Sequence, residues 1–594
     1  MRTRLIKLRF RRRLRKGQEQ VGGLGQQAEQ QIERHLFKRF ENLGPVRRFL
    51  FAWTGLMFLL IGGVIFQLLS LSNHYQTLQP VPGGIYNEGV SGRFTNANPL
   101  YASSDADTTV SRLVFAGLFT FNQQGRLVGD LASYYSVDAH GTTYTVHLKP
   151  NLRWQDGQPL TSADVLYTYQ IIQNPDTESP LRSSWQGITV TAPSQDTVIF
   201  KLPSTLAAFP YNMTNGIVPR HILGSMAPGD LRSADFNTVH PIGAGPFSWQ
   251  AIEVKDGNDP NKSVEQIALV PFNDYARGAP KLQKFDIQVF ADKEQLVQAL
   301  QQGQLTGAES LMTAPGRIDG RRNFLQHSIL LRAANMVFFK TGSGVLADTQ
   351  VRQALVHGAD LPSIITKLGY PTRAVREPLL EGQVGYQAGL AQAGYDPAAA
   401  KQLLDQDGWT IGPKGIRTKS NQPLAFTLSA ADTPEAHMVT QALHNEWQKL
   451  GVQMHVQLQT PSDFQSTLSY HSYDAVLYGI SIGVDPDVFV YWDSSQADLR
   501  SANRLNLSEW KNASADASLE AGRTRLDPSL RAIKYKPFLQ AWQQDAPALG
   551  LYQPRMLYIT NGPVAGLPTH AINTLPDRFD NVQNWEIHEA RVTN

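Results

Sequence analysis

The sequence predicts a mixed α/β protein of several lobes, held to a membrane by one N-terminal helix, and three observations predict it. The chain has 594 residues, too many for one ordinary core at about 150 residues per domain. Beyond residue 83, stretches that alternate apolar and polar residues mix with stretches whose apolar residues recur every three or four positions. These are the periods of strands and helices. Ahead of residue 83, Phe49 to Leu71 is a run of 23 residues without a charge, long enough to span about 30 Å of hydrocarbon. No fixed period repeats along the chain, so neither a solenoid nor a propeller is indicated.

In chain order, the first element is a basic tail, residues 1–48, with 14 Lys/Arg against 4 Glu. It carries +10, and the remainder of the chain −7. "RTRLIKLRFRRRLRK", residues 2–16, would attract phosphate of any kind. Beside a membrane span, anionic headgroups offer that attraction at high local concentration, so lipid rather than nucleic acid is its expected partner. "QQAEQQIERHLFKRF", residues 26–40, has a helical pattern. The anchor follows at 49–72. A cleaved secretory signal is the competing reading, but it calls for a shorter apolar run and an A-x-A-like exit, and "SLSNHYQTLQP" lacks the alanines. Arg47 and Arg48 abut the run, so the positive-inside bias places the N-terminus in the cytoplasm and residues after 73 outside the cell. Residues 73–82, with two prolines and a glycine nearby, read as a linker.

In the outer part, Tyr144, Val146 and Leu148 alternate with Thr145, His147 and Lys149, predicting a strand with one buried face. Asp156-Gly157 marks a turn. Thr161 followed by Asp164 has the spacing of a capping box and predicts a helix start, which makes Asp164 a cap rather than a catalytic acid. "TVTAPSQDTVIFKL", residues 189–202, reads as strand, turn and strand. "KFDIQVF" reads as a strand, and "KEQLVQALQQG" and "PEAHMVTQALHNEWQKLG" as helices. There is no cysteine, which removes disulfides, thiolate metal sites and cysteine nucleophiles together.

Seven segments then stand in one order: "GDLASYYSVDAHGTTYTVHLKPNLRWQDGQPLTSADVLYTYQII" (129–172), "GIVPRHIL" (216–223), "HPIGAGPFSW" (240–249), "NDYARGAPKLQKFDIQVF" (273–290), "DTQVRQALVHGAD" (348–360), "YDPAAAKQLLDQDGW" (395–409) and "LGVQMHVQLQTPSDFQSTLSYHSYDAVLYGISIGVDPDVF" (450–489). Over about 500 residues the chain resembles family 5 extracytoplasmic solute-binding proteins, the oligopeptide, dipeptide and nickel binders of ABC importers. The resemblance implies a two-lobed, periplasmic-binding-protein-like clamshell of the large three-subdomain form. The first lobe would take 83–330 and regain 556–594, and the second would take 331–555. It implies a peptide-like ligand, and an ABC permease with its ATPase as partners.

Peptide binders of that family hold the ligand main chain in strand-like pairing along the segment before a loop acidic-Pro pair, here Asp485-Pro486. They commonly place a carboxylate three residues before it to receive the peptide amino group. In this chain that position is Ile482, and the usual tryptophan place is Gly479. The departure means that recognition of a free amino terminus is not carried over. Phe94, Thr95, Gly479, Ile480 and Ser481 are the expected cleft residues, with Ile482 and Asp485 beside them.

One other motif overlaps this region. "GISIG", 479–483, fits the nucleophile elbow G-x-S-x-G, for which Asp577 and His588 would supply the later acid and base. A working elbow needs a helix directly after Ser481, and Pro486 opposes one. The 14 histidines include no H-E-x-x-H, and "GAGPF", 243–247, lacks the Lys-Ser/Thr of a phosphate loop and reads as a turn. No cofactor is expected, and energy for transport would come from a separate subunit.

Overall fold

The structure is a computed structural model that describes residues 47–255, 259, 262–309, 323–498, 500–501 and 504–593. The basic tail before Arg47 and the helical pattern at 26–40 lie outside the described residues. Two compact units divide the chain. In the smaller one a helix runs from Arg47 to Tyr75, and its stretch Arg48–Gln67 is long and apolar enough to cross a membrane. Its apolar side chains from Phe49 to Phe66 are exposed. The residues expected as a linker, 73–82, hold the end of that helix and the strand Gln76–Val81.

The larger unit, Pro80–His588, is organised by three sheets. A seven-stranded sheet has the order Phe324–Leu330, Arg555–Asn561, Gly307–Ala308, Ile85–Ser91, Lys284–Phe290, Val264–Pro271 and Phe247–Lys255. Its second strand comes from the C-terminal end of the chain, far in sequence from its neighbours. A four-stranded antiparallel sheet, ordered Ala132–Val137, Thr143–Leu148, Thr197–Lys201 and Thr189–Ser194, forms a small layer packed into the same core. The sequence signals at 144–164 are realised there. Tyr144, Val146 and Leu148 are buried, and Thr161 and Asp164 make both halves of a capping box on the helix Ser162–Gln173.

A five-stranded sheet holds Gln453–Gln459, Ala425–Ala431, Ala475–Ser481, Ala333–Phe339 and Ala548–Tyr552, in that order. Helices cover both of its faces. Along Ala333–Phe339, Ala334, Met336 and Phe338 enter one apolar cluster while Val337 and Phe339 enter the other. Burial on both sides matches a strand that is apolar at every position but Asn335.

The long return of the chain is fixed by an ionic group with no exposure. Arg578 Nη2 donates to Glu88 Oε1 at 2.7 Å and Arg578 Nη1 meets Glu309, while Tyr558 donates to the other Glu88 oxygen at 2.5 Å. Glu88, Glu309, Arg578 and Tyr558 are all 0–1 % exposed. Removing the guanidinium would strand two carboxylates in the core, a strong penalty that ties the last strands to the first.

Candidate functional site

The chain passes between the seven- and five-stranded sheets twice, at Leu331–Arg332 and at Gln553–Pro554. The two passages are bonded to each other: Leu331 N–H donates to Pro554 O at 2.9 Å and the Gln553 amide donates to Leu331 O at 3.0 Å. Such a short paired ribbon can absorb a hinge rotation without unpacking either core. Away from it the two halves also touch, because Ala207 N–H donates to Arg523 O at 2.9 Å.

A cavity of about 630 Å³ reaches Leu331 from the side of the seven-stranded sheet. Its walls come from the helix Asp105–Val114, the residues Tyr211–Gly216, and the returning segment Thr574–Asp580. The helix starts where its sequence says it should: the Ser104 hydroxyl accepts from Asp107 N–H at 3.0 Å, and Asp105 and Asp107 occupy the first turn. Two glycines let its other end approach. A Cβ on Gly243 would lie 1.9 Å from Val114 O, and one on Gly245 2.6 Å from Val114 C. "GAGPF" is thus a turn packed on a helix end, as its lack of a phosphate-loop lysine implied.

The cavity is charged. Arg112 Nη2 donates to Asp577 Oδ1 at 2.6 Å and its Nη1 lies 3.6 Å from Asp580. Asp577 also closes a capping box with Thr574. Asp130 and Asp580 are both buried and line the cavity. Burial pushes Asp130 up to about 6 against the pull of Arg277, and Asp580 up to about 8 against the pull of Arg112. Tyr211, stacked on Phe121 at 6.2 Å, is raised by burial and then by the charge of Asp485 on the facing half.

The residues singled out from sequence fall in two places. Phe94 packs on Trp249 at 5.8 Å and its N–H donates to Glu265 at 2.8 Å. The Thr95 hydroxyl and N–H are held by Asp107 at 2.8 and 2.7 Å. Neither lines the cavity. Gly479, Ile480 and Ser481 end the strand Ala475–Ser481, opposite Asn335, Ala334 and Ala333. A Cβ at 479 would sit 2.6 Å from Asn335 Oδ1, so a side chain there requires the Asn335 amide to move. The ladder to the strand Ala425–Ala431 stops at Val476, so beyond Val476 that ladder leaves this edge unpaired. Ile480 and Ile482 point into the core. Asp485 makes two bonds of 2.6 Å to Arg531.

After Ser481 no helix begins until Phe489. Asp577 is taken by Arg112, and His588 lies against Gly84. The nucleophile-elbow geometry is therefore not formed. Sequence reading passed over Arg112, Asp130, Tyr211 and Asp580, which gather from four separate stretches. The readable signal nearest to them was the "TLPD" capping box at 574–577.

Comparison with known proteins gives a consistent result. The chain is 25 % identical over 486 residues to the oligopeptide-binding protein AppA of Bacillus subtilis, covering 80 % of this chain and 87 % of that one. It is 28 % identical over 444 residues to protein XP55 of Streptomyces lividans, covering 73 % and 77 %. The structure of B. subtilis AppA in complex with a nonapeptide superposes with a TM-score of 0.69, at 25 % identity, over 86 % of this chain and all of that one. NikZ of Campylobacter jejuni in complex with Ni(L-His) gives 0.70 at 24 % identity, over 84 % and 99 %. The family model of the bacterial extracellular solute-binding proteins, family 5, matches residues 126–500; the fold, the two-lobed plan and this match agree, and the chain belongs to that family.

Proposed function

We propose that this protein is a membrane-anchored receptor that captures peptides outside the cell and delivers them to an ABC permease powered by its own ATPase. The observation that carries the reading is the cavity of about 630 Å³ set against a paired hinge ribbon, a size within the range of ligand pockets. The relatives named above as oligopeptide binders support it. Lobes of 83–330 with 556–594, and of 331–555, fit the sheet memberships. Gly479 to Ser481 are assigned to main-chain pairing with the ligand, through the edge left open beyond Val476. A solute touching both lobes would favour the closed state and shift the population toward it. The apolar helix Arg48–Gln67 supports retention at the cytoplasmic membrane with the N-terminus inside. Binding rather than catalysis is the proposed activity.

The test is mass spectrometry of whatever is released by mild denaturation from the purified full chain. A pool of peptides is the expected result. A single non-peptide solute, or no solute together with no response to any peptide mixture, would refute the reading.

A further inference from the structure

The charged groups of the cavity and of the loop after Ser481 give a more specific statement, which rests on the peptide reading above. In that loop no carboxylate is free. Ile482 is 6 % exposed within the core that holds Val488 and Trp492. Asp485 is spent on Arg531, and Asp487 on Arg523 at 3.0 Å. A cationic group on a ligand therefore finds no receiver there.

The cavity is arranged the other way. Asp105, Asp130 and Asp580 line it, and Arg112 is the one cation lining it among the described residues. That guanidinium is already turned to Asp577 and Asp580. Asp130 and Asp580 are 4 % and 7 % exposed, and the Oδ1 atom of each is buried without a hydrogen-bond partner. The hydrogen bonds that Lys149 and Arg277 make go to other oxygens. Lys149 donates to Ala276 O at 2.9 Å, and Arg277 donates to Asp580 O and to Asn581 Oδ1 at 2.5 and 2.7 Å. Asp580 Oδ1 has only the long 3.6 Å approach of Arg112 and Asp130 Oδ1 has no donor, so both are costly at the wall of a ligand-sized cavity unless a further charged donor reaches them.

We propose that Asp130 and Asp580 receive a cationic group of the solute, an ammonium or a guanidinium, so that this receptor selects basic peptides. In this arrangement positive charge is received at the wall of the first-lobe cavity and not in the loop around Pro486. The raised proton affinity of both acids, caused by burial, agrees with a site whose counter-charge arrives with the ligand. The groups facing Asp130 are Arg277, Tyr275, Lys149 and Arg112, and those facing Asp580 are Arg112, Asp577, Arg277 and Thr120. Asp130, pushed up to about 6, and Asp580, pushed up to about 8, both change charge between pH 5.5 and 8. An incoming cation competes with their protons, so its advantage grows as pH rises through that window.

The experiment is titration calorimetry on the full chain in detergent with four probes: Ala-Ala-Lys-Ala-Ala and its norleucine isostere, each with a free and an acetylated amino terminus. At pH 7.5 each lysine peptide is expected to bind tenfold or more tighter than its norleucine isostere. That ratio shrinks to threefold or less at pH 5.5, and in Asp130→Asn and Asp580→Asn at pH 7.5. An advantage that survives acetylation shows that the side-chain ammonium is the group received, whereas one lost on acetylation would overturn the selection of basic peptides. Four equal affinities would overturn the proposal while leaving peptide capture standing, as would an advantage that persists in both variants. The pH arm uses the unaltered protein, so a variant that fails to fold does not spare the idea. No binding by any probe, with no peptide co-purifying, would sink both readings.

Discussion

Replacing Glu309 by glutamine should make the protein more stable at neutral pH, although it removes a partner of a buried arginine. Glu88, Glu309 and Arg578 put two carboxylates against one guanidinium, all fully enclosed. The least costly arrangement keeps one proton, and burial places it on Glu309, which is pushed up to about 8 from 4.5. Between those values the folded chain holds a proton that the unfolded chain has released. Stability therefore falls as pH rises, by about 1.4 kcal/mol per unit while the proton remains bound. From pH 5.5 to 7.5 the loss from this one group is about 2 to 3 kcal/mol. The amide of the Glu309→Gln variant mimics the protonated acid and cannot titrate. Urea unfolding followed by tryptophan fluorescence should find variant and parent within about 1 kcal/mol at pH 5.5, and the variant ahead by about 2 kcal/mol at pH 7.5. Asp130 and Asp580 titrate in both proteins and cancel in the difference. An equal pH slope in the two proteins, or a variant weaker at both values, would refute the assignment of the proton.

Arg531→Ala strands Asp485, with both side chains 5–7 % exposed, and should cost about 3 to 5 kcal/mol in the same assay. Ile482→Asp, which restores the residue type common in peptide binders, should lower stability by several kcal/mol, about 3 or more, because the side chain enters the core; its ratio of affinities for free and acetylated peptides should stay within threefold of the parent. Gly243→Ala should destabilise by more than about 2 kcal/mol, since its Cβ would meet Val114 O at 1.9 Å. Removing residues 47–75 should release the protein from carbonate-washed membranes, and retention of that shortened chain would count against the anchor.

Local order was legible in the sequence and assembly was not. The strand Thr143–Leu148 and the box of Thr161 and Asp164 announce themselves because each is decided by residues within one turn or one pleat. The ends of the strand Lys284–Phe290 and the start of the helix Pro434–Gln448 follow for the same reason. Phe94 and Thr95 sit in an irregular loop, where no period tells an inward side chain from an outward one; Asp107, twelve residues after Thr95, decides it by claiming Thr95. The cavity acids are harder still. Asp130 and Asp580 are brought to one wall by sheet order, and no spacing relates positions 450 residues apart. The departure at Ile482 was visible as a residue type, but its meaning needed the core cluster that takes the side chain in.

The return of the last forty residues into the first sheet has a consequence for biosynthesis. The five-stranded sheet is drawn from one unbroken stretch, Ala333 to Tyr552, and can close as soon as that stretch has left the translocon. Glu88, on the strand Ile85–Ser91, emerges early yet waits for Tyr558 and Arg578, 470 and 490 residues later. At about 5 to 20 residues per second that is roughly half a minute to a minute and a half in which the Glu88 carboxylate lacks these partners. A nascent chain of this protein is thus finished from its middle outward, and a ribosome that stops short of residue 555 would release a chain able to build the five-stranded sheet but not the cavity walled by Thr574–Asp580.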